Sequence, residues 1–130
     1  MIRMVIADDH AIVRGGIRQI MATTDDVQVV AEASSTDEAL ALVRAGNVDV
    51  LLLDISLPGL GGLELLKVLH AEMPSLPVLI LSMHNEGQIV QRALKAGAQG
   101  YVTKDSEPNV LLTGVRKVAE GGKFIDPALV

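Results

Sequence analysis

The sequence predicts an α/β fold, an open, doubly wound parallel sheet of five strands with helices on both faces. Short β-branched or leucine-rich runs alternate with longer amphipathic stretches, so the βα unit recurs five times. The strands are apolar throughout rather than at alternate positions. "DVLLLDI", residues 49–55, shows this best, and such strands belong inside a parallel sheet covered on both faces. Five units are also too few to close a barrel of eight.

In chain order, Ile2 to Ala7 reads as the first strand. Ala11 to Ala22 reads as a helix, with Ile12/Val13, Gly16/Ile17 and Ile20/Met21 recurring at helical spacing. Val27 to Ala33 is the second strand. Thr36 to Ala45 is a helix with Ser34 or Ser35 as its cap and Gly46 as its stop. Val48 to Asp54 is the third strand, and Leu60 to Glu72 a helix that ends before Pro74. Pro77 to Ser82 is the fourth strand, followed by a helix from Glu86 to Ala96 closed by Gly97. Gln99 to Thr103 is the fifth strand. Ser106 to Glu120 is the last helix, with Pro108 in its first turn, where a missing N–H costs little.

Composition narrows the function classes. A chain of 130 residues suits one domain with a real core, and with only 2% aromatic residues that core must be aliphatic. The absence of cysteine excludes disulfides and thiolate metal sites and permits a reducing compartment. A net charge of −5 argues against a nucleic-acid groove in this segment. Met1 to Val5 lacks the apolar run and cleavage site of a signal peptide, and no run approaches the roughly 20 apolar residues of a membrane helix.

In such sheets, sites form outside the C-terminal ends of the strands. There the first strand ends at Asp8-Asp9, the third at Asp54, the fourth at Ser82 and the fifth at Thr103-Lys104. Taken singly, each has an ordinary reading. An acidic pair before a helix caps it and complements its dipole, and a serine or lysine at a strand end sits in a solvated turn. Jointly, three carboxylates, a hydroxyl and a lysine fall on one edge of one sheet. Convergent carboxylates suit a hard cation such as Mg²⁺, held by one or two of them plus phosphate oxygens. Asp8 and Asp9 point to opposite faces, so one contacts the metal directly and the other through water. Asp54 is followed by "ISLPGLGG", a short shaped loop with a tight turn at Pro58-Gly59 and a close approach at Gly61-Gly62. A carboxylate there can attack phosphorus to give an acyl phosphate, a reaction that depends on positioning and charge neutralisation. Mg²⁺ on one side and Lys104 on the other would supply the charge, and the Ser82 hydroxyl a hydrogen bond.

These residues resemble, in order and across the chain, the receiver domain of bacterial two-component response regulators. Asp8-Asp9 is similar to the family's acidic pair, Asp54 to its phosphoacceptor, Ser82 to its Ser/Thr, Lys104 to its lysine and Tyr101 to its switch aromatic. "DDHAIVRGGI", "LLLDISLPGLGGLELL" and the stretch from Gly100 to Pro127 are similar to the NarL/FixJ group. The resemblance implies a flavodoxin/CheY-like sheet with strand order 2-1-3-4-5. It implies Mg²⁺ (or Mn²⁺) bound by Asp9, Asp54 and the Ser56 backbone carbonyl, with Asp8 acting through water. It also implies a cytoplasmic switch, no enzyme beyond its own phosphorylation and dephosphorylation, that takes its phosphoryl group from a sensor histidine kinase. Ser82 then moves toward the phosphate, Tyr101 rotates inward, and a phosphorylation-dependent homodimer is expected. The group carries a C-terminal helix-turn-helix domain, so the expectation is a receiver over residues 1–130 cut from a transcriptional regulator, with DNA bound only through that further domain. The family often has a cis proline after the lysine. Here Asp105 follows, and a cis Lys104–Asp105 bond is the corresponding expectation, at a cost of about 3 kcal/mol. His10 reads as the start of the first helix and His84 as an exposed loop residue, neither a metal ligand.

Other functions fit less well. Phosphatases of the haloacid-dehalogenase type share the aspartate nucleophile, Mg²⁺, hydroxyl and lysine, but need an acid two residues after the nucleophile, where this chain has Ser56. A flavin would meet acids instead of a phosphate-binding turn after the first strand. A cobalamin motif would need glycine where Val13 stands, and no G-x-x-x-x-G-K-[ST] is present.

Overall fold

The computed structural model describes residues 1–83 and 87–129. Its elements are β1 (Ile2–Ala7), α1 (Ala11–Ala22), β2 (Val27–Ala33), α2 (Thr36–Arg44), β3 (Val50–Asp54), α3 (Gly62–Glu72), β4 (Val78–Ser82), α4 (Gly87–Lys95), β5 (Gly100–Thr103), α5 (Pro108–Ala119) and β6 (Phe124–Ile125), followed by a 3₁₀ turn at Pro127–Leu129. All strand pairs are parallel, in the order β2-β1-β3-β4-β5-β6. The expected order therefore holds, with one more strand at the edge. His84 and Glu86 lie outside the described residues.

Strand side chains divide the core into two layers, as a sheet covered on both faces requires. Val5, Leu51, Leu53 and Ile80 pack with Ala39, Leu65, Leu69 and Ala93 of α2, α3 and α4. Met4, Ile6, Leu52 and Leu79 pack with Ile17, Met21, Leu111 and Val115 of α1 and α5. Every residue of β3 and β4 is buried, in keeping with their unbroken apolar runs.

The boundaries shift for local reasons. Asp49 accepts from the Arg3 N–H at 2.8 Å and donates its own N–H to the Arg3 carbonyl, so β3 begins at Val50 rather than Val48. Gly61, at φ 103°, caps α3, which starts at Gly62 rather than Leu60. Glu107 precedes Pro108 and is held extended, so α5 starts at the proline rather than at Ser106. Of the two candidate caps for α2, Ser35 is the one that accepts the Glu38 N–H. Ser34 instead donates its N–H and hydroxyl to the Glu38 carboxylate. The Lys104–Asp105 peptide is trans, which overturns the cis expectation. Without a proline ring, nothing offsets the steric preference of an ordinary amide for trans.

Candidate functional site

Sheet register brings the strand ends together. Ala7 of β1 pairs with Leu53 of β3, so Asp8 and Asp54 emerge side by side. Asp54 pairs with Leu81 and Ser82 with Thr103, so Ser82 and Lys104 follow on the next two strands. The Lys104 N–H donates to the Ser82 carbonyl at 2.9 Å, which extends the β4–β5 ladder by one residue.

The side chains of Asp8 and Asp54 are 0% and 1% exposed, and that of Lys104 8%. Lys104 Nζ lies 3.1 Å from Asp8 Oδ2 and 3.1 Å from Asp54 Oδ2. Toward Asp54 the ammonium makes a hydrogen bond. Toward Asp8 it makes only an ion-pair contact, which leaves that buried Oδ2 without a hydrogen-bond donor among the described residues. Burial draws the Lys104 pKa down, but the Asp8 and Asp54 carboxylates outweigh it, and the net shift is upward. Like-charge repulsion between the acids is thus answered by a cation held between them.

The other carboxylate oxygens have their own partners. Asp54 Oδ1 accepts the Ser56 N–H at 3.0 Å and the Ser56 hydroxyl at 2.8 Å, and the Leu57 N–H closes a turn on the Asp54 carbonyl. Asp8 Oδ1 accepts the His10 N–H at 2.8 Å and lies 2.9 Å from His10 Nδ1. Asp9, beside it, is exposed. The loop after Asp54 is pinned from α2, where buried Thr36 accepts the Leu60 N–H at 2.8 Å and donates its own N–H to the Pro58 carbonyl. A Cβ on Gly62 would sit 2.2 Å from the Ile55 carbonyl oxygen, so only glycine lets α3 start this close to the Asp54 turn.

Oxygen and nitrogen atoms of Asp8, Asp9, His10 and Asp54 lie within 4.8 Å of one another. Three carboxylates, one with a buried oxygen that accepts no hydrogen bond among the described residues, form a donor set that fits a hard divalent cation. Ser82 and Tyr101 are both buried, and Tyr101 lies at 0% exposure in the layer shared with Ile80 and Ala93. Its ring therefore packs inward.

Two further residues join the site: His10, read from the sequence only as the start of the first helix, and Arg14, which the sequence did not point to. His10, the N-cap of α1, is 3.3 Å from Asp9 Oδ1 and 3.5 Å from Lys104 Nζ. Its one signal was adjacency to the acidic pair. Arg14, one turn into α1, donates to the Asp8 carbonyl at 2.6 Å and to Glu32 at 3.0 Å, bracing the end of β1. Spacing from Asp8 alone does not reveal that contact, because it depends on the angle between β1 and α1.

Comparison with known proteins places the fold and the family. The family model for the response regulator receiver domain matches residues 4–116. The transcriptional regulatory protein UhpA of Salmonella typhimurium is 42% identical over 127 residues, covering 98% of this chain and 63% of that protein. The transcriptional regulatory protein DegU of Brevibacillus brevis is 38% identical over 126 residues, covering 97% and 53%. Among solved structures, a LuxR-family two-component response regulator from Aurantimonas sp. SI85-9A1 superposes with a TM-score of 0.92 at 35% identity, covering 98% of this chain and 91% of that one. The isolated REC domain of RcsB from Salmonella enterica serovar Typhimurium, solved with the phosphomimetic BeF3−, gives 0.90 at 30% identity, covering 98% and 95%. The chain spans 53% and 63% of the length of these two curated relatives. On its fold, its clustered strand-end residues and these matches, the chain belongs to the response regulator receiver domain family.

Proposed function

We propose that this receiver is a phosphorylation-dependent switch in which Asp54 is the phosphoacceptor. The observation that carries this is the Lys104 ammonium at 3.1 Å from both Asp8 and Asp54, a cation fixed where phosphoryl charge would arrive. An Asp54 carboxylate oxygen attacks phosphorus in a phosphohistidine of a sensor kinase. The P–N bond breaks, its electron pair stays with the imidazole nitrogen, and an O–P bond forms as an acyl phosphate. Lys104 neutralises charge on the transferred group, and the Ser82 hydroxyl donates to one of its oxygens. Hydrolysis returns Asp54 to a carboxylate and releases inorganic phosphate.

Asp9, Asp54 and the Ser56 carbonyl would hold Mg²⁺ or Mn²⁺ directly, with Asp8 acting through water. When bound, that ion supplies further neutralisation of the phosphoryl oxygens. Ser82 and Tyr101 serve as the switch pair, a two-state element that the new charge biases. A homodimer forms on phosphorylation, in the cytoplasm. Relatives named as transcriptional regulators support an output in transcription, and in this proposal a helix-turn-helix domain outside residues 1–130 would supply all contact with DNA. The chain does no chemistry beyond gaining and losing its own phosphoryl group.

Acetyl phosphate tests this. The wild-type protein should be labelled once per chain on a phosphate-affinity gel, and Asp54→Asn should stay unlabelled. Sustained turnover of a phosphomonoester by the wild type would favour a phosphatase instead.

A further inference from the structure

We propose that Asp126 is a positioning residue for phosphoryl transfer, because its carboxylate ties the turn that carries Lys104 to the C-terminal segment. This rests on Asp54 as phosphoacceptor and adds a residue to that machinery.

Asp126 follows β6 and is 3% exposed. Its two carboxylate oxygens serve different parts of the chain. Oδ1 accepts the Ala128 N–H at 2.9 Å and so caps the turn Pro127–Leu129. Oδ2 accepts the Thr103 N–H at 3.3 Å, the Thr103 hydroxyl at 3.3 Å and the Ser106 hydroxyl. Thr103 and Ser106 bracket Lys104 and Asp105. The Ser106 N–H donates to the Thr103 carbonyl at 3.2 Å and closes the turn between them. Burial pushes the Asp126 carboxyl up, but these donors outweigh it and hold it below its usual range.

No cation pairs with Asp126 among the described residues. A serine or threonine would cap Ala128 without burying a charge. A carboxylate here is explained by the need for a second acceptor oxygen facing Thr103 and Ser106. The segment that presents it is also built in. Phe124 pairs with Gly100, and its ring lies 2.9 Å from where a Cβ on Gly114 would stand, so α5 leaves room for β6. The Asp126 N–H then donates to the Tyr101 carbonyl at 2.9 Å.

Lys104 must reach a point midway between two buried carboxylates, so a small shift of its turn misplaces the ammonium. The same carboxylate caps the turn at the C-terminal end of the chain. A change at Lys104 therefore biases that end, and a change there biases Lys104 in return.

The test uses Asp126→Asn, Ser106→Ala and Ser106→Thr in the whole chain, with folding checked by far-UV circular dichroism. One readout is the rate of acetyl phosphate labelling. The other is the ¹⁵N resonance of the Lys104 ammonium with no phosphodonor present. The proposal expects Asp126→Asn and Ser106→Ala to label more slowly, on the order of tenfold, with the Lys104 resonance displaced. Ser106→Thr should restore both. Wild-type labelling rates with an unmoved Lys104 resonance in both variants would overturn the proposal and leave Asp54 as phosphoacceptor untouched. If the wild type takes no label, the phosphoacceptor reading fails, and the Lys104 resonance alone then decides whether Asp126 positions it. Should Asp126→Asn not fold, Ser106→Ala carries the same comparison.

Discussion

At the scale of single residues, Lys104 is the pivot. It screens two buried carboxylates from each other, so removing its charge leaves both unpaired. Lys104→Met should cost about 3–5 kcal/mol of stability in a urea melt at neutral pH, the usual penalty for leaving a buried charge without its partner. The upward shift of the Lys104 pKa fixes the sign of a pH effect. A raised pKa means the folded state binds this proton more tightly. The stabilisation is complete below the ordinary lysine value of 10.5 and is lost as pH rises through the higher folded value. Wild-type stability should therefore fall above that pH, and Lys104→Arg, which stays charged, should blunt the fall. Equal alkaline loss in both proteins would contradict this role. Asp8, Asp54 and Lys104 were legible in the sequence because a parallel sheet puts every strand's C-terminal end on one edge. That rule places backbones and says nothing of depth. The full burial of Asp8 beside an exposed Asp9, and the inward Tyr101, emerge only from packing.

At the scale of elements, the loops around Asp54 and Asp126 hold the site's shape. Gly62→Ala would drive a Cβ into the Ile55 carbonyl, and overpacking of this kind costs about 1–3 kcal/mol. A urea midpoint equal to wild type would show that α3 can retreat freely. The lowered Asp126 pKa has the opposite sign to that of Lys104. Its stabilisation is present above the ordinary value of 3.8 and disappears as pH falls through the lower folded value. Amide exchange of Phe124 and Asp126 should therefore accelerate below that pH, ahead of the β3 amides. Loss of protection in both at the same pH would contradict a separately held segment. The helices and the five expected strands were readable because their runs are long and strongly patterned. β6 was not, since two residues, Phe124 and Ile125, carry no periodicity, and their place beside β5 depends on the room left at Gly114 in another element.

At the scale of the whole molecule, the receiver joins a two-layer apolar core to one polar edge. Tyr101 is the chain's single tyrosine and there is no tryptophan, so intrinsic fluorescence reports on that position alone. Because the ring is buried, iodide should quench it weakly in the unmodified protein. Strong quenching would show the ring to be outward in solution. Beryllofluoride with Mg²⁺ should shift the protein toward a dimer on size-exclusion chromatography and leave Asp54→Asn unchanged.

The central claim is that the carboxylate of Asp54, and no other group on this edge, takes the phosphoryl group. Acyl phosphates are reduced by borohydride to an alcohol, which marks the modified aspartate for peptide mass spectrometry. After treatment with acetyl phosphate and Mg²⁺, the reduction product should appear at Asp54 alone. Reduction at Asp8 or Asp9, or a stable phosphate ester on Ser82 with Asp54 unmodified, would contradict the account.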